Sequence, residues 1–224
     1  MFGRTSRVAA MILVAVIGAV ALGWFVALPR YRPGLGDSEQ YGIDVSHHQG
    51  EIDWEAVAGD DIVFAYLKAT EGGDWVDPRF VENWSAARGA GLEVGAYHFF
   101  RTCTDGALQA QNFLSTVPLS DSALPLAIDI EGDGICAETV SETKIHDELM
   151  EMVDLVEAER GPVIFYVLDG FSYLDDIVAQ RQRWQRSLFR RPGDNDWQVW
   201  QASNQASVDG IDGRVDLNVH QVGP

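Results

Sequence analysis

Short apolar runs alternate with longer amphipathic ones along most of this 224-residue chain, and that alternation leaves few folds open. YGIDVS (41–46), IVFAYLKAT (62–70), LEVGAYHFF (92–100), LPLAIDIE (124–131) and PVIFYVLDG (162–170) have the length and β-branched or aromatic content of strands. Between them, PRFVENWSAARGAG (78–91), GALQAQNFLSTV (106–117) and SETKIHDELMEMVDLVEAERG (141–161) read as helices. In the last, Leu149, Met152, Val153 and Val156 share one face, and Gly161-Pro162 ends the pattern. Strands alternating with helices imply a parallel sheet with the helices packed outside it. A fifth helix is expected near 171–182. Beyond it RWQRSLF, DWQVWQAS and RVDLNVH follow too closely for crossover helices. Eight strands and about five helices predict a closed α/β barrel, compact in its last third, with function at the C-terminal strand ends.

The N-terminus is of another kind. Val8 to Leu28 are 21 consecutive residues without a charge, behind Arg4 and Arg7 and closed by Trp24-Phe25 and Pro29. A soluble core helix is rarely apolar on every side. Ala19-Val20-Ala21 resembles a signal-peptide cleavage site, but the run continues past it to full membrane length. Residues 1–28 are therefore expected to be an uncleaved single-pass anchor, or a signal segment cut near Ala21. Residues 29–40 are then a short polar linker and 41–224 the exported barrel. Residues 1–36 hold four Arg and no acid, so the remainder carries 34 acids against 12 bases, a net of −22. Such a surface offers nothing to nucleic-acid phosphates.

Four acids interrupt the apolar pattern. In ALPLAIDIEGDG (123–134), Asp129 and Glu131 share one strand face while Ile128 and Ile130 take the other. Asp44 sits between Ile43 and Val45 in the first strand, and Asp216 between Val215 and Leu217 in the last. First and last strands are neighbours when a barrel closes, so all four acids are expected at one mouth. Clustered carboxylates suit a hard cation or the splitting of a glycosidic bond. Barrel metallohydrolases usually add several His. Here His47-His48 are adjacent, on opposite faces unless the chain turns there, and His98 and His220 stand apart. Glycoside hydrolysis needs one protonated acid, a second carboxylate and aromatic walls. Mutual repulsion keeps a proton on one acid, and Tyr66, Tyr97, Tyr166, Trp197 and Trp200 lie on strands as candidate walls or core.

YGIDVSHHQGEIDW, FAYLKATEG, VGAYHFF, AIDIE, VIFY and VWQASNQASVDGIDGRVDLN, in this order from Tyr41 to Val219, resemble glycoside hydrolase family 25, the lysozymes of fungi, phages and streptomycetes. The resemblance implies an irregular TIM-like barrel and hydrolysis of the β-1,4 bond between N-acetylmuramic acid and N-acetylglucosamine in peptidoglycan. By motif, Glu131 corresponds to the general acid and Asp129 to the carboxylate that assists at the anomeric carbon. Asp44 and Asp216 match supporting carboxylates; Lys68, Tyr97 and Tyr166 match positions near the sugar, and Trp200 is placed with them. No cofactor or metal is implied, the partner is the peptidoglycan glycan strand, and a monomer is expected. RWQRSLFRRPG stands where the family has Trp-Ala-Arg or Trp-Ala-Tyr, and Trp200-Gln201-Ala202 lacks the aromatic of a Trp-Gln-Tyr. The spacing of Asp129 and Glu131 leaves retention or inversion open. The rival reading is a non-catalytic, membrane-tethered wall-binding domain; a metal-dependent deacetylase is a third. Cys103 and Cys136 fall just past adjacent strands at one barrel end, and a disulfide between them is expected, the alternative being two unrelated thiols.

Overall fold

The computed structural model describes residues 4–119, 124–132, 140–168, 170–193 and 196–222. Eight strands close a barrel: β1 (Glu39–Val45), β2 (Ile62–Glu71), β4 (Glu93–Phe99), β5 (Ala127–Ile130), β6 (Ile164–Val167), β7 (Gln182–Arg186), β8 (Val199–Ala206) and β9 (Val215–Gln221). The two-residue β3 (Trp75–Val76) folds back on the end of β2 outside it. All neighbours are parallel except β9, which runs antiparallel between β8 and β1. The 207–214 connection is too short for a crossover, so the chain can only turn back. That reversal brings the start of β9 to the end where the other strands finish.

Outside the barrel lie α2 (Trp54–Gly59), α3 (Phe80–Gly89), α4 (Gly106–Thr116), α5 (Glu142–Arg160) and α6 (Asp175–Val178). Asp53, Asp105 and Ser141 cap three of them, their side-chain oxygens accepting from the N–H of Ala56, Leu108 and Lys144. The helix expected over 171–182 shrinks to a 3-10 turn, Ser172–Leu174, and the single turn of α6. Its buried apolar residues, Phe171, Leu174 and Ile177, recur every three positions, which suits a 3-10 turn better than a 3.6-residue repeat.

Two apolar layers hold the wall. Ile43, Val45, Ile128 and Ile130 point outward into the core beneath the helices. Phe64, Tyr66, Ile164, Tyr166 and Trp184 form a second cluster, in which aromatic side chains dominate. Room for it comes from Gly42 and Gly95: a Cβ at either would stand 2.3 Å from the ring of Phe64 or Tyr66. Tyr66 donates its hydroxyl to Pro125 O and is packing, not a sugar platform.

The N-terminal helix α1 (Arg4–Leu22) continues through a π turn, Gly23–Ala27, and a 3-10 turn, Leu28–Arg30. The helix Met11–Arg30 is long and apolar enough to cross a membrane, and none of its apolar window is buried. The stretch read as a linker is packed on the barrel, with Pro29 and Pro33 buried, and β1 begins within it at Glu39.

Candidate active site

Strand alternation turns Asp44, Asp129 and Glu131 away from their apolar neighbours and into a cavity of about 370 Å³ at the barrel mouth, which Asp216 joins from the start of β9. Asp44 and Asp216 are direct partners across the β1–β9 pair. Asp129 is in register with Phe99 on one side and Tyr166 on the other. Of the other residues expected here, Lys68, Tyr97 and Tyr166 also line the cavity.

Each acid is held differently. Asp44 Oδ2 accepts from Asn218 Nδ2 at 2.7 Å, and Asn218 Oδ1 in turn accepts from the Trp184 indole N–H at 2.9 Å. Burial, then the charge of Asp216, still pushes the Asp44 carboxyl well above the usual range; the hydrogen bonds from Asn218 and Gln201 offset only part of this. Asp129 is raised likewise, by burial first and then by the charges of Glu131 and Asp44. Its Oδ1 is buried with no hydrogen-bond partner among the described residues. Burial carries Asp216 up to about 6 against the pull of Arg186. Asp44, Asp129 and Asp216 therefore bind protons far more readily than three separate carboxylates would. Glu131 is partly exposed at the end of β5.

The walls are polar and aromatic. Lys68 Nζ is bonded to Glu71 Oε2 at 2.7 Å and sits over the Phe99 and Trp75 rings, 4.5 and 5.0 Å from their centroids. Tyr166 donates to Gln201 Oε1 at 3.0 Å. Burial and the surrounding acids keep the Tyr97 and Tyr166 hydroxyls protonated and able to donate. His47 and His48 do lie on a turn, the 3-10 segment His47–Gln49, so their rings are 4.0 Å apart. Their Nδ1 atoms are already engaged, His47 by Asp77 and His48 by Ser46, each at 2.9 Å. His98 is fully buried between Thr70 and Gln109, and burial lowers it to about 4, so it is a neutral core residue.

Trp200 does not belong to the site. It is fully buried on the outer side of β8 with Trp197, Ala202 and Val219, its indole donating to Ser187 O, under the Arg191 guanidinium. The alternation that turns Trp200 outward turns its neighbour Gln201 inward. Gln201, Asn218, Trp184 and Arg186 escaped the sequence reading. The signal was there in VDLN, where Asn218 lies two residues past Asp216 and so on the same face, and in the Gln of Trp200-Gln201. Cys103 is not a free thiol; Cys136 lies outside the described residues.

Carboxylates ringed by aromatic and hydrogen-bonding side chains, at the mouth of a barrel with one reversed strand, suit the cleavage of a glycosidic bond. Residues 43–211 match the model of the glycosyl hydrolases family 25, and the chain belongs to that family. It is 37% identical over 194 residues to the Escherichia coli K12 protein YegX, across 80% of this chain and 68% of that one. Lysozyme M1 of Streptomyces globisporus is 33% identical over 194 residues, across 79% of this chain and 66% of its own length. The family 25 glycosyl hydrolase structure from Bacillus anthracis superposes with a TM-score of 0.71 at 31% identity, covering 85% of this chain and 93% of that one.

Proposed function

We propose that this enzyme is a peptidoglycan muramidase in which Glu131 protonates the leaving glycosidic oxygen between N-acetylmuramic acid and N-acetylglucosamine. The observation that carries the division of labour is the buried, unpartnered Oδ1 of Asp129 beside a partly exposed Glu131. A buried acceptor lacking a partner costs free energy unless substrate supplies one. The 2-acetamido N–H of the muramic residue is such a donor. Held by Asp129, its carbonyl oxygen attacks the anomeric carbon as the C–O bond breaks and Glu131 gives up its proton. Water, deprotonated by Glu131, then opens the cyclic intermediate, and configuration is retained. Asp216, lifted only to about 6 and so largely ionised at pH 7, steadies the positive charge that develops on the sugar ring, with Asp44 paired beside it. Mass spectrometry of fragments released from purified peptidoglycan tests the assignment. Muramic reducing ends with retained configuration are expected, whereas binding without fragments would leave a wall-binding domain.

We further propose that residues 8–28 anchor the chain in the cytoplasmic membrane with the barrel on the exported side. Arg4 and Arg7 favour an inward N-terminus, against Arg30 and Arg32 beyond the span. Recovery of a soluble exported protein beginning near Leu22 would replace the anchor with a cleaved signal. Cys103 and Cys136 pair in that oxidising compartment; a separation of 33 residues contributes on the order of 3.5 kcal/mol through chain entropy. Titration of the native protein should find no free thiol, and two after reduction.

A further inference from the structure

The segment joining the membrane helix to the barrel has no slack. The Pro29 carbonyl accepts from Ser207 N at 2.9 Å. The Arg32 guanidinium donates to Ser207 O at 3.0 Å and to Asp60 at 3.2 Å. Tyr41 donates its hydroxyl to the Pro33 carbonyl. Arg191 grips the Gly34 carbonyl at 2.7 Å and the Glu39 carboxylate at 2.8 Å. The Tyr31 ring meets that of Phe189 edge-on, with centroids 5.4 Å apart. Phe189 adopts φ +58, a left-handed conformation unfavourable for an aromatic residue, and its N–H is tied to Ala202 O at 2.7 Å. Residues 29–38 thus form a strap over the outer wall at β8, where the chain supplies no crossover helix.

We infer that this strap holds the catalytic mouth at the membrane surface, so that the substrate is glycan lying against the membrane rather than the outer layers of the wall. The inference rests on the anchor and muramidase readings above, and chain geometry bounds it. A helix over the 21 uncharged residues rises about 31 Å, the thickness of the hydrocarbon layer, which puts Pro29 at the surface. Ser207, bonded to Pro29, comes three residues after Asn204, which lines the cavity. Three residues span at most about 11 Å, so the cavity rim lies within roughly 15 Å of the bilayer. Residues 29–40, if unattached, would reach about 40 Å. The flank that meets the lipid carries Arg30 and Arg32 and, after Phe189, Arg190, in a protein whose residues 37–224 sum to −22. Basic residues here offset repulsion between an acidic barrel and anionic headgroups. The reaction that supplies such a substrate is polymerisation of lipid-linked sugars at the membrane surface, and this enzyme cuts its product before that glycan leaves.

The test uses the full chain in phospholipid vesicles and two substrates: glycan polymerised from lipid-linked precursor on the same vesicles, and wall sacculi added outside. The native chain is compared with a variant carrying about twelve Gly and Ser residues inserted between Leu28 and Pro29, roughly 20 Å of added span that leaves strap and barrel intact. The native enzyme should favour vesicle-held glycan by about tenfold or more, and the insertion should erase most of that preference. A preference that the insertion leaves unchanged overturns the inference alone. Release of the native chain from vesicles by alkaline carbonate overturns the anchor, and inertness toward both substrates overturns the muramidase reading; either removes the inference with it.

Discussion

Replacing Asp216 by Asn should stabilise this enzyme at neutral pH while disabling it. Burial lifts the Asp216 carboxyl from 3.8 to about 6 in the folded state. The unfolded chain keeps the ordinary value. Between those pH values the folded state binds more protons, so stability falls as pH rises through the window and the penalty is complete by pH 7. At about 1.36 kcal/mol per tenfold change in proton affinity, the displacement from 3.8 to about 6 costs about 3 kcal/mol at pH 7 and about 0.5 kcal/mol at pH 4. Partial exposure of Asp216 screens some of this and leaves about 2 kcal/mol for the variant to recover. Asn keeps the shape, and its amide can donate to Asp44, which shares a hydrogen bond with Asp216. For a chain of this length the midpoint of thermal unfolding should rise by roughly 4–8 °C at pH 7. Circular dichroism melts of both proteins in the same detergent, at pH 7 and pH 4, measure it. No gain at pH 7, or an equal gain at pH 4, would refute the burial argument.

Glu131→Gln should lower turnover on peptidoglycan by at least about two orders of magnitude with binding retained, as reducing-end release and sedimentation with insoluble wall would report. Asp129→Asn should lose a comparable factor. The double variant should be little worse than the poorer single, because both groups act in one step. Gly42→Ala and Gly95→Ala force a methyl into the rings of Phe64 and Tyr66 and should each cost about 1–3 kcal/mol in denaturant melts. Trp200→Ala should cost about 3–5 kcal/mol of stability, yet at a temperature where it stays folded its KM for soluble glycan should match the parent's; a raised KM would return Trp200 to the site.

Much of the fold was legible because its cause is local. Period-2 alternation around Asp44, Asp129 and Glu131 named both the strands and the inward faces, and the end of helix α5 was marked by Gly161-Pro162. The 171–182 segment was misjudged because helical length was assigned without weighing the three-residue spacing of its apolar positions. Trp200 was misplaced because residue type was read ahead of alternation: an aromatic beside a sugar site is tempting, but the face belongs to Gln201. Strand alternation puts Asn218 and Gln201 on the inward face, but that they hold Asp44 and Tyr166 is set by partners 174 and 35 residues away in the chain.

By itself the sequence determined which residues could face inward, since that depends only on the two-residue repeat of a strand, and it marked the apolar span because 21 uncharged residues have few other uses. Only the tertiary structure decided which inward residues meet. Direct pairing of Asp44 with Asp216 follows from the reversal of β9 and the register of barrel closure, contacts between residues far apart in the chain. The same holds for residues 29–38, polar and unpatterned in sequence yet fastened to β8. The groups that hold them, the Ser207 backbone and the Arg191 side chain, come from the opposite end of the chain, and no local pattern encodes such a meeting.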